Sequence, residues 1–460
     1  MLTTIIAGAF VLGVVVLVHE FGHFIVAKKS GVFVKTFSIG FGRKILKRRI
    51  GDTVYALSLL PFGGYVKFAG ESMYYDENEP PDEYEGAGDE SGEVPDSAIP
   101  RERYYTMQPA RVRAAILFAG PLMNYVAAVL IYIGVVIVTG LQMTPSTTVG
   151  AVTVGGAADS SGLRPGDKIV DVDGQPVKYW EDITAAIVAD PHGVRHFEVI
   201  RGNRRRTVDF RAKASKAGID IGFEADIPPV IGRVQRSRPA WRAGIRQGAR
   251  IEAIDDTTVT SYSDIRRMIH ARPEKPVYVR WSFDGVAHGD TVVPEAREVL
   301  AGTGSNQTET VGLIGVGPEY VKRYENPLRA VRDGFSTTNR IIVQIVGYLG
   351  KLVTGKMNVK TLGGPIMITK MAGDVADWGF DYLLLFLAFF NVNLCVFNLV
   401  PMVPFDGGHI AIIVVETITR RPLGRKTREW MMQAGFVVVI LLMAFVVMLD
   451  LTRCSGGSMG

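Results

Sequence analysis

The sequence predicts a polytopic α-helical membrane protein, with four transmembrane helices and two exported α+β modules between the second and third. Three observations carry that reading. The 460 residues hold 51 Lys and Arg against 46 Asp and Glu and are 47% hydrophobic, but the mixture is uneven. Four windows approach the ~20 apolar residues that a bilayer core demands. Lys and Arg then collect at alternate ends of those windows, as the positive-inside bias requires. Between the second and third windows the chain repeats itself at a fixed offset, the signature of a duplicated module. The length suits about three units, and a wholly soluble chain is disfavoured. The net charge of +5 is small and dispersed, and with no aromatic-plus-basic array it gives no support for a nucleic-acid partner.

The first span occupies residues 1–27. It lacks a basic n-region and its apolar run continues past any cleavage point, so it reads as an anchor rather than a signal peptide. Residues 28–112 form a loop carrying Lys28, Lys29, Lys35, Arg43, Lys44, Lys47, Arg48 and Arg49, then Arg101, Arg103, Arg111 and Arg113 before the second span at 113–141. The third span, 382–418, and the fourth, 430–450, enclose Arg420, Arg421, Arg425, Lys426 and Arg428. Both basic loops are therefore expected in the cytoplasm, with the two termini and residues 142–381 on the far side. Residues 71–98 hold eleven carboxylates, no basic residue and three prolines. Such a segment cannot bury enough apolar surface to offset its ordering entropy and reads as a disordered insert. Across 326–380, Phe335, Ile342, Ile345, Val346, Leu349 and Val353 recur at helical spacing among polar residues, which predicts amphipathic helices on the membrane surface rather than a fifth span.

In the exported stretch Ala158, Gly162, Leu163, Gly166, Ile169, Val172, Asp173 and Val177 recur as Ala240, Gly244, Ile245, Gly248, Ile251, Ile254, Asp255 and Val259. Two copies of one unit, at 145–225 and 228–318, follow. The pattern from Ala158 to Gly174 resembles PDZ domains, with a turn at Arg164–Asp167, a strand at Lys168–Val172 and a short helix near Asp182. The second copy has Ala249 for the Asp and Asp256 for the Gly, so its turn is expected to differ. PDZ modules commonly capture an extended peptide at a sheet edge; acting as spacers or as a steric filter is the equal alternative, since fold does not fix function.

The chemistry concentrates in His19-Glu20-Phe21-Gly22-His23. On a helix, positions four apart project from one face, so both imidazoles can hold one zinc ion with the glutamate beside it. Three ionisable groups inside an apolar span are costly unless they serve a site, and a bound metal accounts for all three together. Only Cys395 and Cys454 occur, so a cysteine-based zinc module is excluded and the third ligand must be His or carboxylate. In the third span, Asn398 begins a run through Pro401, Pro404, Asp406, Gly407, Gly408 and His409. Its prolines and glycines must break the helix, and broken backbone at membrane depth is tolerated only beside protein or a water-filled cavity. Counted along both helices at ~1.5 Å per residue, the break and the two histidines meet in the cytoplasmic half of the membrane. Asp406 suits the third position, and His409 is its rival.

With these residues in view, the chain resembles the site-2 protease family of intramembrane zinc metalloproteases, in particular its bacterial group with tandem PDZ domains. The likeness rests on H-E-F-G-H at 19–23, F-S-I-G-F-G at 37–42, P-F-G-G-Y-V-K at 61–67, G-P-x-x-N at 120–124, both repeats, and N-L-x-P-x-x-P-x-D-G-G at 398–408. The resemblance implies that His19, His23 and Asp406 bind Zn2+, that Glu20 is general base and acid, and that Asn398, Pro401 and Pro404 line a substrate cleft. Residues 53–68 resemble the family's membrane-inserted β-hairpin, in which Gly63, Gly64 and Tyr65 would meet an unwound substrate strand; an ordinary cytoplasmic hairpin is the alternative. Asn124 either reaches the site or packs helices. Departures are Phe405 for Leu, Asn391 for Ser and a longer acidic insert. The implied activity is cleavage of single-pass membrane proteins in a bacterial inner membrane, such as a trimmed anti-sigma factor or remnant signal peptides, with lipid and PDZ ligands as further partners. A non-catalytic zinc-containing scaffold is the rival reading, and the intact Glu20 argues against it.

Overall fold

The computed structural model describes residues 2–70, 94–215, 218–236, 238–300, 308–355, 363–421 and 423–455. Most of the acidic insert, 71–93, lies outside the described residues. The chain divides into two units, one formed by Met1–Val138 with Asn326–Gly460 and the other by Thr139–Glu325.

In the first unit, α1 (Leu2–Lys29) leads into β1 (Val34–Ile50) and β2 (Thr53–Phe68) and then α2 (Ala110–Thr139). After the second unit come α3 (Pro327–Val353), α4 (Pro365–Trp378), α5 (Phe380–Asn398), α6 (Asp406–Thr419) and α7 (Arg425–Ser455). Among the described residues, four helices are long and apolar enough to cross a bilayer: Thr3–Lys29, Ala110–Thr139, Phe380–Asn398 and Lys426–Thr452. Their outward side chains, such as Ile5, Phe10, Leu130, Val138, Leu441 and Met443, remain exposed, as lipid-facing residues do. Contact between them relies on close approach rather than water exclusion. A Cβ on Gly22 would overlap the Ala119 carbonyl, and one on Gly373 would come within 2.6 Å of Thr4 Oγ1. Glycine is required at both crossings. The amphipathic α3 buries Ile345, with Ile341, Ile342 and Leu349 beside it, against Ala128 and Tyr132 of α2 and Ala388 and Val392 of α5.

The segment expected to be a hairpin by itself, Thr53–Phe68, is one bent strand. It pairs with Val34–Ile50 through a tight turn at Gly51 and Asp52, and the long hairpin doubles back on itself. Residues 36–39 lie between two lanes of β2: Ile39 faces Gly64 on one side and Leu57 on the other, while Arg48 and Arg49 face Tyr55 and Val54. The bend sits where Gly40, Gly42 and Gly63 adopt φ of 87°, 86° and 109°, values that residues with a Cβ avoid. The consequence is an outer lane, Gly64–Lys67, whose far edge pairs with no strand among the described residues.

The second unit holds two sheet-rich modules. Each has a four-stranded sheet in one order: Gln175–Pro176, Lys168–Val172, Arg195–Arg201, Arg204–Phe210 in the first, and Thr257–Thr258, Arg250–Ile254, Val277–Phe283, Val286–Val292 in the second. Separate cores form around Ile169, Phe197 and Phe210 and around Ile251, Val279 and Trp281. The expectation about the second copy's turn is half met. Gly166 and Gly248 share φ of 88° and 89°, and each turn closes on an equivalent bond, Asp167 N–H to Arg164 and Ala249 N–H to Arg246, both 3.1 Å. The difference comes later, where Asp173 (54°) and Gly174 (78°) are both left-handed but in the second copy Asp255 (51°) alone is. Strand Leu141–Met143 pairs with Val321–Arg323, so the unit's entry and exit lie side by side.

Candidate metal centre and active site

His19 and His23 stand one turn apart on α1, 6% and 7% exposed, with their Nε2 atoms 3.1 Å from each other. The Asp406 carboxylate completes the cluster. Its Oδ2 lies 3.1 Å from His19 Nε2 and 3.5 Å from His23 Nε2. These are the residues expected from sequence, and among the described residues they form a group that could hold a metal ion. His409, one turn further along α6, is not part of it.

The break between α5 and α6 delivers Asp406. Proline at 401 and 404 removes two N–H donors, α5 ends at Asn398, and α6 restarts with Asp406 in its first turn. Backbone from the break folds tightly onto the new helix. A Cβ on Gly407 would sit 2.5 Å from the Leu399 carbonyl carbon and the Val400 oxygen, and one on Gly408 would overlap the backbone of Met402 and Val403. The paired glycines are therefore the space into which the break fits. On the other side, α2 presses Gly120 against both rings, and a Cβ there would come 2.5 Å from His23 Cε1 and 2.7 Å from His19 Cε1.

The donor set can be tested against zinc. A tetrahedral ion with legs of about 2.0–2.1 Å separates its donors by about 3.3–3.4 Å, and the three separations here are 3.1, 3.1 and 3.5 Å. Asp406 Oδ2 is enclosed and has no hydrogen-bond partner. His23 Nδ1 lies 2.8 Å from the Ile116 carbonyl; donating there leaves its Nε2 as a lone pair directed at Asp406. Lone pairs converging so closely repel unless a cation lies between them. The residues fit zinc, with the two-histidine, one-carboxylate composition of a catalytic site that keeps a position open.

A cavity of about 320 Å³ opens onto this cluster, lined by His19, Glu20, His23, Tyr65, Val66, Phe68, Leu117, Asn398, Pro404, Phe405 and Asp406. Glu20 Oε2 accepts the Val66 N–H at 3.2 Å, so the outer lane of β2 faces the glutamate. Asn398 Nδ2 is 3.1 Å from His19 Nε2. Of the residues expected to meet substrate, Asn398, Pro404 and Tyr65 line the cavity. Pro401 is exposed and does not. Gly63 and Gly64 stand behind the lining, where a Cβ on Gly64 would be 2.6 Å from the Ser38 oxygen and 3.8 Å from Glu20 Cγ. Sequence reasoning missed Val66, Phe68, Leu117, Phe405 and the Ile116 carbonyl. Two of these contribute backbone groups, which residue type does not signal, and the others are apolar residues in apolar surroundings.

A buried two-histidine, one-carboxylate cluster with a glutamate in the same cavity, its histidines on a membrane-length helix and its carboxylate just after the break that ends another, points to a membrane metallopeptidase. Comparison with known proteins agrees. Residues 7–442 match the family described as Peptidase family M50, so the chain belongs to that family and is a zinc metalloprotease. It is 30% identical to a putative zinc metalloprotease of Vibrio cholerae, over 97% of this chain and 98% of that one. It is also 30% identical to the Regulator of sigma-E protease RseP of Escherichia coli, over 96% and 97% of the two chains, and 29% identical to RseP of Salmonella typhimurium, over 96% and 97%.

Proposed function

We propose that the protein cuts single-pass membrane proteins within the bilayer of a bacterial inner membrane, His19, His23 and Asp406 holding zinc and Glu20 moving the proton. The observation that carries this is the Glu20 carboxylate, which lines one cavity with the ligand cluster and accepts from Val66 on the outer lane of β2, beside membrane-length helices. When bound, zinc supplies Lewis-acid polarisation of a peptide carbonyl and acidifies water. Glu20 takes a proton from the attacking water and returns it to the leaving amine. The Asn398 side-chain amide, on the cavity side of His19, donates to the carbonyl oxygen of the peptide being cut. A substrate helix must unwind before its carbonyls are open to attack, and the edge at Gly64–Lys67 offers the unwound strand backbone partners in place of those it lost.

The two sheet-rich modules we read as PDZ domains on the exported side, with both termini, from the repeated pattern and the distribution of Lys and Arg. They admit a substrate already shortened outside the membrane. The sigma-E regulation named for the relatives supports an anti-sigma factor as that substrate, with remnant signal peptides as a second class.

The test uses the full-length protein in detergent with a truncated single-pass substrate, comparing wild type with Glu20→Gln. Cleavage by the wild type alone, at about one zinc in each, is the expected result. Persisting cleavage by the variant refutes the assignment of Glu20.

A further inference from the structure

The two histidines are held differently on their far sides, and the difference points to Asn124. If Nε2 of each ring ligates the metal, each Nδ1 must carry the proton and needs an acceptor. His23 has the Ile116 carbonyl. His19 Nδ1 faces Asn124, whose Nδ2 lies 3.4 Å away. Asn398 Nδ2 is equally far from this nitrogen but closer to Nε2, so it belongs to the cavity side of the ring. Asn124 is completely buried two turns along α2 from Ile116, on the face that Gly120 brings against both rings. Its Oδ1 is enclosed and without a partner.

A buried amide oxygen without a donor is costly. A ring N–H facing an amide N–H would cost more of the same kind. The two ends of an asparagine amide are nearly isosteric, and a half-turn about χ2 exchanges them. Oδ1 then accepts the Nδ1–H of His19, and no volume changes. The alternative pairing, with the amide donating to Nδ1, places the ring proton on Nε2, between His19 and Asp406, and removes a ligand.

We propose that Asn124 is the positioning residue for His19: its side-chain carbonyl accepts the Nδ1–H, fixes the tautomer that turns the Nε2 lone pair toward Asp406, and thereby sets the zinc affinity. This rests on the metal centre proposed above and deepens it. Asn124 touches neither substrate nor the reacting atoms. Its contribution is made before any peptide binds, so it is readable as metal affinity.

Full-length protein in detergent is titrated against a chromophoric zinc chelator, and the absorption spectrum of the cobalt-loaded protein is recorded. Asn124→Leu keeps the volume and removes the acceptor; Asn124→Asp keeps an acceptor. Asn391→Leu alters another fully buried asparagine, on α5, whose Nδ2 bonds the Leu387 carbonyl. Loss of an outer partner to a ligating histidine costs about 10- to 100-fold in affinity. Asn124→Leu should lose that much and change the cobalt spectrum, Asn124→Asp should stay within about threefold of wild type by the same measure, and Asn391→Leu should match wild type. Wild-type affinity in Asn124→Leu, or an equal loss in Asn124→Asp, overturns the assignment. An equal loss in Asn391→Leu also overturns it, because any buried amide would then serve. A wild type that binds no zinc defeats instead the metal centre on which the inference rests.

Discussion

Asp167 and Arg201 of the first module provide an experiment for which the second module is the control. The Asp167 carboxylate is fully enclosed and accepts from Arg201 Nε at 2.6 Å, Arg201 Nη2 at 2.7 Å and the Arg164 N–H at 2.8 Å. At the equivalent positions the second module has Ala249 and Phe283, and its core closes without a charge. Removing one partner of a buried pair costs about 3–5 kcal/mol. Arg201 is 24% exposed and regains some hydration, so Asp167→Ala should lie near the lower end, about 3 kcal/mol. For a unit of this size that is about 6–12 °C in melting temperature. Asp167→Ala with Arg201→Phe copies the second module and should recover most of the loss, since well-packed apolar replacements of ion pairs are often neutral. Burial alone would raise the Asp167 carboxyl, but the Arg201 guanidinium and the Arg164 N–H outweigh it and hold the group below the ordinary range. A depressed carboxylate stabilises the fold above its unfolded pKa, and the contribution is lost as pH falls through the folded value. The gap between wild type and Asp167→Ala should therefore be full at pH 7 and close below about pH 4. Thermal unfolding of the full-length protein in detergent, followed by protease sensitivity of the exported unit, reads all three proteins. A double variant no more stable than Asp167→Ala would refute the equivalence of the two solutions.

Gly64→Ala puts a methyl 2.6 Å from the Ser38 backbone oxygen; the outer lane must shift, carrying Val66 away from Glu20, and a displacement near 1 Å costs about 100-fold. Turnover should fall by about that factor while zinc content stays at the wild-type level, and an unchanged rate would remove this edge from the reaction. Asp406→Ala should lose bound zinc, whereas His409→Ala should retain it by elemental analysis; the reverse pattern would exchange the third ligand. Gly408→Ala, which drives a Cβ into the backbone of Met402 and Val403, should lose zinc although no ligand is altered.

Much of the site was legible because its residues are of types that apolar helices exclude. Two imidazoles and a carboxylate within five residues of α1, and Asp406 after a proline break, are costly in lipid unless they serve together. The duplicated module was legible for a different reason, since a repeat needs no structural knowledge to be seen. The hairpin was not legible in detail. Pro61, Gly63 and Gly64 look like a reversal of the chain, but Gly63 bends a strand instead, and only pairing over 17 and 16 residues shows which. Val66 supplies an N–H and Ile116 a carbonyl, groups that every non-proline residue carries.

The fold explains why glycine marks this site so densely. Gly22 and Gly120 let α1 and α2 close until His19 and His23 meet the second helix; Gly407 and Gly408 let the break lie on α6; Gly64 lets an edge strand run beside Glu20. Each removes a side chain where two backbones, or a backbone and a ligand, must share one place. In water a glycine in a helix interior costs about 0.5–1 kcal/mol relative to alanine, whereas between membrane helices the close approach it permits is itself the source of stability. The same glycines that bring the helices together therefore bring His19, His23 and Asp406, the proposed zinc ligands, together. Substituting alanine at Gly120, which adds a methyl against both rings, should weaken zinc binding before it unfolds the bundle.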